Sequence, residues 1–214
     1  ASLGQAADPL TEARAAFARG DYTNTVSHAT NSIANNPWQE DSRVLHIRAL
    51  LAQGKYADAR TVTTNAMEKL SSSVRILWAA HHVFQFNNDL KGSTNALNEI
   101  NRLASIRSWA YRNAPDMVVL GRTALSLGAD PKAVLDKLYN PAREHDPEFA
   151  GIPHAIGDLA FSKSDYELAG RTFQEALKKQ PKNAGLHLGT ARAFAPSDGK
   201  MTAKHLQYAL TINP

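Results

Sequence analysis

Apolar positions recur along the chain at helical spacing, and the clearest run is Ser164–Pro181. There Tyr166, Ala169, Phe173, Ala176 and Leu177 fall on one face of a single helix. Ser164 and Glu167 stand three apart, the spacing of a capping box, so the helix is expected to start at Ser164. Lys178 and Lys179 suit the negative end of the helix dipole, and Pro181 stops the helix. The pattern then repeats. One and the same interval separates Gly20 from Gly54, Tyr22 from Tyr56, and Pro147 from Pro181. Gly20-Asp21-Tyr22, Gly54-Lys55-Tyr56 and Ser164-Asp165-Tyr166 are one kind of turn, and Phe17 and Phe161 each precede the tyrosine by five.

These spacings resemble the tetratricopeptide repeat, a 34-residue helix–turn–helix unit. The resemblance implies an all-α fold, a right-handed superhelical solenoid of antiparallel helix pairs in five to six degenerate repeats. It is strongest over 150–183, where Gly157, Tyr166, Ala169, Phe173, Ala176 and Pro181 fall on signature positions. Residues 6–39 keep Ala13, Gly20, Tyr22, Ala29 and Pro37, but carry Thr25 and Ser32 where alanine is usual. Residues 40–73 keep Gly54, Tyr56, Ala59 and Ala66 and end in Ser71 instead of proline. Residues 74–107 keep only the apolar pattern (Leu77, Phe84, Leu90, Leu97, Ile100), with the turn Asn87-Asn88-Asp89. In such an array the glycines and alanines permit close helix approach while Tyr22, Tyr56, Tyr166 and Phe173 fill space between repeats, so all are read as structural.

From Tyr56 to Tyr166 the chain runs eight positions past three such periods. It therefore reads as repeats 1–3 over 1–107, an irregular fourth repeat over 108–149 holding the surplus, and repeats 5–6 over 150–214, in one continuous solenoid. Six surplus residues fall in 108–113, where Leu103, Ile106, Trp109 and Ala110 suggest an extended helix or an extra turn, and two fall after the fourth repeat. Pro115 is expected to end that segment, Pro131 to open a helix, and Pro141 and Pro147 to bracket a loop, NPAREHDP. The last helix carries Leu206 and Leu210 with no following segment to cover them, so the chain is expected to be part of a longer polypeptide.

With 214 residues, 43% hydrophobic and 21% charged, the chain is too apolar for a disordered one. Its net charge of +4 is scattered, without a basic tract for phosphates, so nucleic acid is not the expected partner class. Having no cysteine, it has no disulfide, thiol nucleophile or thiolate metal site. No apolar run approaches the roughly 20 residues that cross a bilayer. The chain begins at Ala1, which fits a removed signal peptide or a piece of a longer protein; compartment stays open between cytoplasmic and exported, with export slightly favoured. His28, His46, His81, His82, His145, His154, His187 and His205 show no metal-ligand spacing, and Asp8, Asp130 and Asp146 precede prolines as turn residues. No G-x-S-x-G or phosphate-cradling glycine loop is present. The reading is a non-enzyme, without cofactor or metal.

The resemblance further implies that the first helix of each repeat lines a concave groove for peptide partners. The ninth repeat position is then Arg14, Arg48, His82, Arg122, Asp158 and Ala191, the first four forming a basic column flanked by Phe17, Val44, Leu51, Trp78, Phe86, Val118 and Leu125. Such a groove suits an acidic peptide or a C-terminal carboxylate; equally, the column is a solvated helix face on which arginine is a good helix former. Leu10, Arg14, Leu45, Arg75 and Ala79 lack the asparagines and lysine of the carboxylate clamp of chaperone-binding members. The expected function is a protein-interaction scaffold. Alternatives are the non-catalytic arm of a larger, exported enzyme and a weak nucleic-acid-binding repeat.

Overall fold

The computed structural model describes residues 8–214; the opening stretch 1–7 lies outside them. The described chain is all helical and falls into six helix pairs. It divides into two compact units, Ala1–Arg102 and Leu103–Pro214.

The first unit holds α1 (Pro9–Ala18), α2 (Tyr22–Asn35), α3 (Glu40–Ala52), α4 (Tyr56–Lys69), α5 (Val74–Phe86) and most of α6 (Leu90–Ile106). The second holds a short 3-10 turn (Ser108–Ala110), α7 (Ala114–Ser126), α8 (Pro131–Val134), a π-helical turn (Leu135–Tyr139), α9 (Asn140–His145), α10 (Gly151–Ser162), α11 (Tyr166–Lys179), α12 (Ala184–Phe194) and α13 (Gly199–Ile212).

The first helix of each of the first five pairs ends in a residue with positive φ: Gly20, Gly54, Asn88, Gly128 and Ser164. The first three are evenly spaced and the later two fall farther apart, which is where the surplus lies. In each case the next residue's N–H reaches back five positions to a carbonyl: Asp21 to Ala16, Lys55 to Leu50, Asp89 to Phe84, Ala129 to Ala124 and Asp165 to Ala160. This closure satisfies carbonyls that the helix end would leave bare. It also moves the expected start of α11. Ser164 occupies the left-handed turn (φ 57), so it is not the cap. Asp165 takes that role, accepting from the Leu168 N–H at 2.9 Å. Asp21, Asp89 and Asp198 cap their helices in the same way.

Two further expectations change in the second unit. Pro115 does not end a segment; it sits in the first turn of α7, behind the Asn113 cap, where its missing N–H costs nothing. The stretch 140–145, expected as a loop, is helical. Pro141 has no N–H and its ring would meet the carbonyl four residues back in a regular helix. The chain meets that demand by widening to a π-turn immediately before it, with the Asn140 N–H bonding the Leu135 carbonyl.

Packing explains the glycines and the off-pattern polar residues. A Cβ on Gly157 would lie 2.2 Å from the Phe173 ring, and one on Gly189 would lie 2.4 Å from it, so Phe173 is seated between two helices that approach without side chains. Gly121 accommodates Tyr139 at 2.2 Å in the same manner. In the first unit Thr25 and Ser32 replace the usual alanines, and each is buried with a partner. The Thr25 hydroxyl donates to the Asp21 carbonyl at 2.7 Å, and the Ser42 hydroxyl donates to Ser32 Oγ at 2.7 Å, joining α2 to α3. His81 and Ser93 form a comparable buried pair, Nδ1 to Oγ at 2.8 Å. The tyrosines expected between repeats lie nearer the surface: Tyr56 and Tyr166 are 39% and 42% exposed. Tyr56 stacks on Phe86 at 5.0 Å, and Tyr166 meets Phe161 at 6.2 Å, so they lid the turns instead of filling the core.

In the last pair His187 and His205 are buried with their Nδ1 atoms 2.9 Å apart. His187 Nε2 donates to the Pro181 carbonyl at 3.0 Å, so His187 Nδ1 accepts from His205 in the neutral pair. Burial first, then His187 and Lys204, holds His205 below the usual histidine range; Arg171, Glu175 and Lys178 of α11 share its surroundings. His46 and His81 are also lowered, chiefly by burial.

Replacing Gly157 with alanine should lower stability by about 1–3 kcal/mol through overpacking against Phe173, although helix propensity alone would raise it by about 1 kcal/mol. The direction of the thermal midpoint shift decides between them. For the lowered histidines the unfolded chain binds more protons than the folded one, so stability should fall as pH drops below about 6.5. Urea titrations from pH 7.5 to 5 should show this decline, shallower in His205→Gln; a flat profile would contradict it.

Candidate functional site

The residues expected to line a groove lie on α1, α3 and α5 in the first unit and on α7, α10 and α12 in the second. Their surroundings differ from a bare basic column.

In the first unit Arg14 is ion-paired to Asp41, in the first turn of α3. Asp41 also holds Arg75, whose other guanidinium nitrogen meets Glu40 at 2.9 Å, and the Ser73 hydroxyl donates to Glu40. One network thus ties α1, α3 and the start of α5, and its carboxylates sit where a helix N-terminus favours negative charge. Arg48 is placed differently: its guanidinium lies over the Phe17 ring, 4.7 Å from the centroid. His82 packs edge-on to Trp78 at 4.9 Å and lies 5.0 Å from His81. Phe86 is exposed and stacked on Tyr56, at the turn end of α5.

In the second unit Arg122 pairs with Asp158 at 3.4 Å, and the other Asp158 oxygen lies 3.8 Å from Arg192. Arg192 lies over the Phe161 ring at 4.3 Å. The position-nine residue of the last repeat is therefore Arg192, not Ala191, which is 1% exposed and packed inward. One full period on from Asp158 arrives at Arg192, so the sequence carried the signal. It carried a second one as well: the interval from Phe17 to Arg48 equals that from Phe161 to Arg192. The same arginine-on-phenylalanine stack is built in both units.

Beneath Arg122 lies Tyr139, fully buried, its hydroxyl without a partner among the described residues. Burial pushes this phenol up to about 12, with Arg122 opposing and Asp158 reinforcing the shift. Phe173 fills the corresponding place in the next repeat. Among the described residues no three His, Cys, Asp or Glu side chains gather as a metal site, and no helix is long and apolar enough to cross a membrane.

Solved structures place this architecture. The chain is similar to TTC0263, a thermophilic TPR protein of Thermus thermophilus, with a TM-score of 0.62 at 16% identity, over 87% of this chain and 97% of that one. The chain has a tetratricopeptide-repeat fold. A tetratricopeptide repeat protein of Parabacteroides merdae ATCC 43184 is similar at a TM-score of 0.53 and 14% identity, over 96% of this chain and 79% of that one. Human IFIT1, solved as a dimer with PPP-AAAA, reaches a TM-score of 0.64 at 12% identity, over 91% of this chain and 47% of its own. By sequence, residues 6–76 match the family model described as bacterial transcriptional activator domain, a minority of the chain. No curated protein matches it.

Within the tetratricopeptide-repeat fold, Asp41 is the residue whose importance the spacing did not reveal, because its partners come from two other repeats. Asp41→Asn should cost about 1 kcal/mol of stability at low salt, since it releases both Arg14 and Arg75. The loss should shrink in 1 M NaCl; an equal loss at both salt concentrations would show that the network is not electrostatic in origin.

Proposed function

We propose that the chain is a non-enzymatic protein-interaction scaffold in which the first-helix face of each unit holds an extended acidic peptide. The observation that carries this reading is the recurrence of the arginine-on-phenylalanine stack, Arg48 over Phe17 and Arg192 over Phe161. An aromatic face restrains the guanidinium in one plane, so a carboxylate can meet it in two-pronged fashion with less ordering entropy lost on binding. Arg14 and Arg122 answer to Asp41 and Asp158, and Arg192 lies 3.8 Å from the other Asp158 oxygen, so what sets Arg48 and Arg192 apart is the ring that fixes the guanidinium plane. His82, beside Trp78, adds a polar edge to an aromatic one.

The test uses fluorescent, terminally blocked decapeptides of graded Asp and Glu content. Affinity should rise with acidic content and fall about tenfold, or about 1.4 kcal/mol, in Arg48→Glu/Arg192→Glu with unchanged helical circular dichroism. Affinity indifferent to both changes would sink the reading.

The match of residues 6–76 favours a second reading, in which the first unit serves as a protein-contacting arm of a transcriptional activator. That reading expects a DNA-binding segment elsewhere in the parent reading frame, and a frame without one removes it.

A further inference from the structure

At the edge formed by α9, α10 and α11 of the second unit lies a half-enclosed cavity of about 170 Å³. Phe149, Ile152, Pro153, Ile156 and Ala176 make its apolar lining. The connector from α9 to α10 supplies one wall, and that wall is fastened. Phe149 covers Gly151 so closely that a Cβ there would lie 2.4 Å from the ring. Gln180 Nε2 donates to the Glu148 carbonyl at 2.6 Å, and Lys179 Nζ meets the Glu148 carboxylate at 3.1 Å, tying the connector to the end of α11. The pocket is thus formed in advance of any ligand. An unfilled apolar void weakens a fold through lost contacts, and here the chain maintains one with dedicated bonds.

Its size and charge indicate the occupant. An apolar cavity of about 150 Å³ is enough to accept benzene, so this one suits a single phenyl ring. Arg143, Lys179 and Glu175 bring the charges to the lining; Lys179 is engaged by Glu148, so Arg143 is the cation at the rim that a carboxylate can meet. Arg143 is exposed at the last turn of α9, held by its hydrogen bond to Asn140 Oδ1 at 3.0 Å. We propose that this pocket binds the aromatic side chain of a protein partner in which the next residue is acidic, the ring entering the cavity and the carboxylate meeting Arg143. The lining shares no residue with the stacked arginines or their rings, so the site extends the scaffold reading by a second contact.

The probe is a blocked hexapeptide, acetyl-Gly-Ser-Phe-Asp-Gly-Ser-amide, titrated by calorimetry and by methyl NMR of Ile152 and Ile156. The peptide should bind and shift both methyl signals. Replacing its Phe by Ala should abolish the shifts, and replacing its Asp by Lys should weaken binding about tenfold, or about 1.4 kcal/mol. In the protein, Ala176→Leu fills the cavity and should abolish binding; Arg143→Glu, a surface change that leaves the core intact, should weaken it to the same extent as the Asp-to-Lys peptide. No binding at millimolar peptide, or binding that survives Arg143→Glu and the loss of the phenyl ring, overturns the proposal.

Discussion

The structure depends on close approach of helices at positions without side chains. Phe173 can occupy its place only because Gly157 on one helix and Gly189 on another leave room for the ring, and Tyr139 relies on Gly121 in the same way. A helix pair of this size has too little apolar surface to stand alone, so stability comes from the faces it shares with its neighbours. The glycines set the helix–helix distance, and that distance decides which side chain can fill the gap. The left-handed residue after the first helix of each of the first five pairs sets the geometry that makes this approach possible, since it turns the chain while keeping the last carbonyls bonded.

Where the small-residue pattern lapses, the chain substitutes hydrogen bonds for contact. Thr25, Ser32 with Ser42, and His81 with Ser93 each bury a polar side chain at an interface between helices, and each gives it a partner within 2.8 Å. Such pairs contribute modestly while made and cost more when one member is removed. The hydroxyls of Thr63, Thr123 and Tyr139 depart from this rule among the described residues, and Tyr139 carries its hydroxyl into a place where Phe173 shows that none is needed for packing.

Charge follows a related rule. Most of the arginines on the first-helix faces are committed within the chain: to carboxylates, as Arg14 and Arg122 are, to an aromatic ring, as Arg48 is, or to both, as Arg192 is. The count of 24 lysines and arginines therefore overstates how much basic surface is offered to a ligand. In the stacks a ring fixes the plane of the guanidinium, and a fixed plane is what a carboxylate meets with two parallel hydrogen bonds. Orientation, more than the number of cations, distinguishes these two positions from the rest of the column.

The sequence by itself determined the repeat. The even spacing of glycine, tyrosine and proline, the surplus near 108–149 and the structural role of Gly157 and Phe173 all follow from local turn chemistry and helical periodicity, which neighbouring residues suffice to specify. The shared interval between Phe17 and Arg48, and between Phe161 and Arg192, was also present, though only geometry shows that it means a stacked pair. Tertiary structure alone decided the rest. That Ser164 turns and Asp165 caps depends on which residue takes positive φ, and that 140–145 stays helical depends on a π-turn that relieves Pro141. The capture of Arg14 by Asp41 and the walled cavity beside Phe149 join residues from different helix pairs. Contacts of that kind have no period, because they arise from side chains meeting across a packed interface instead of from the order in which the chain presents them.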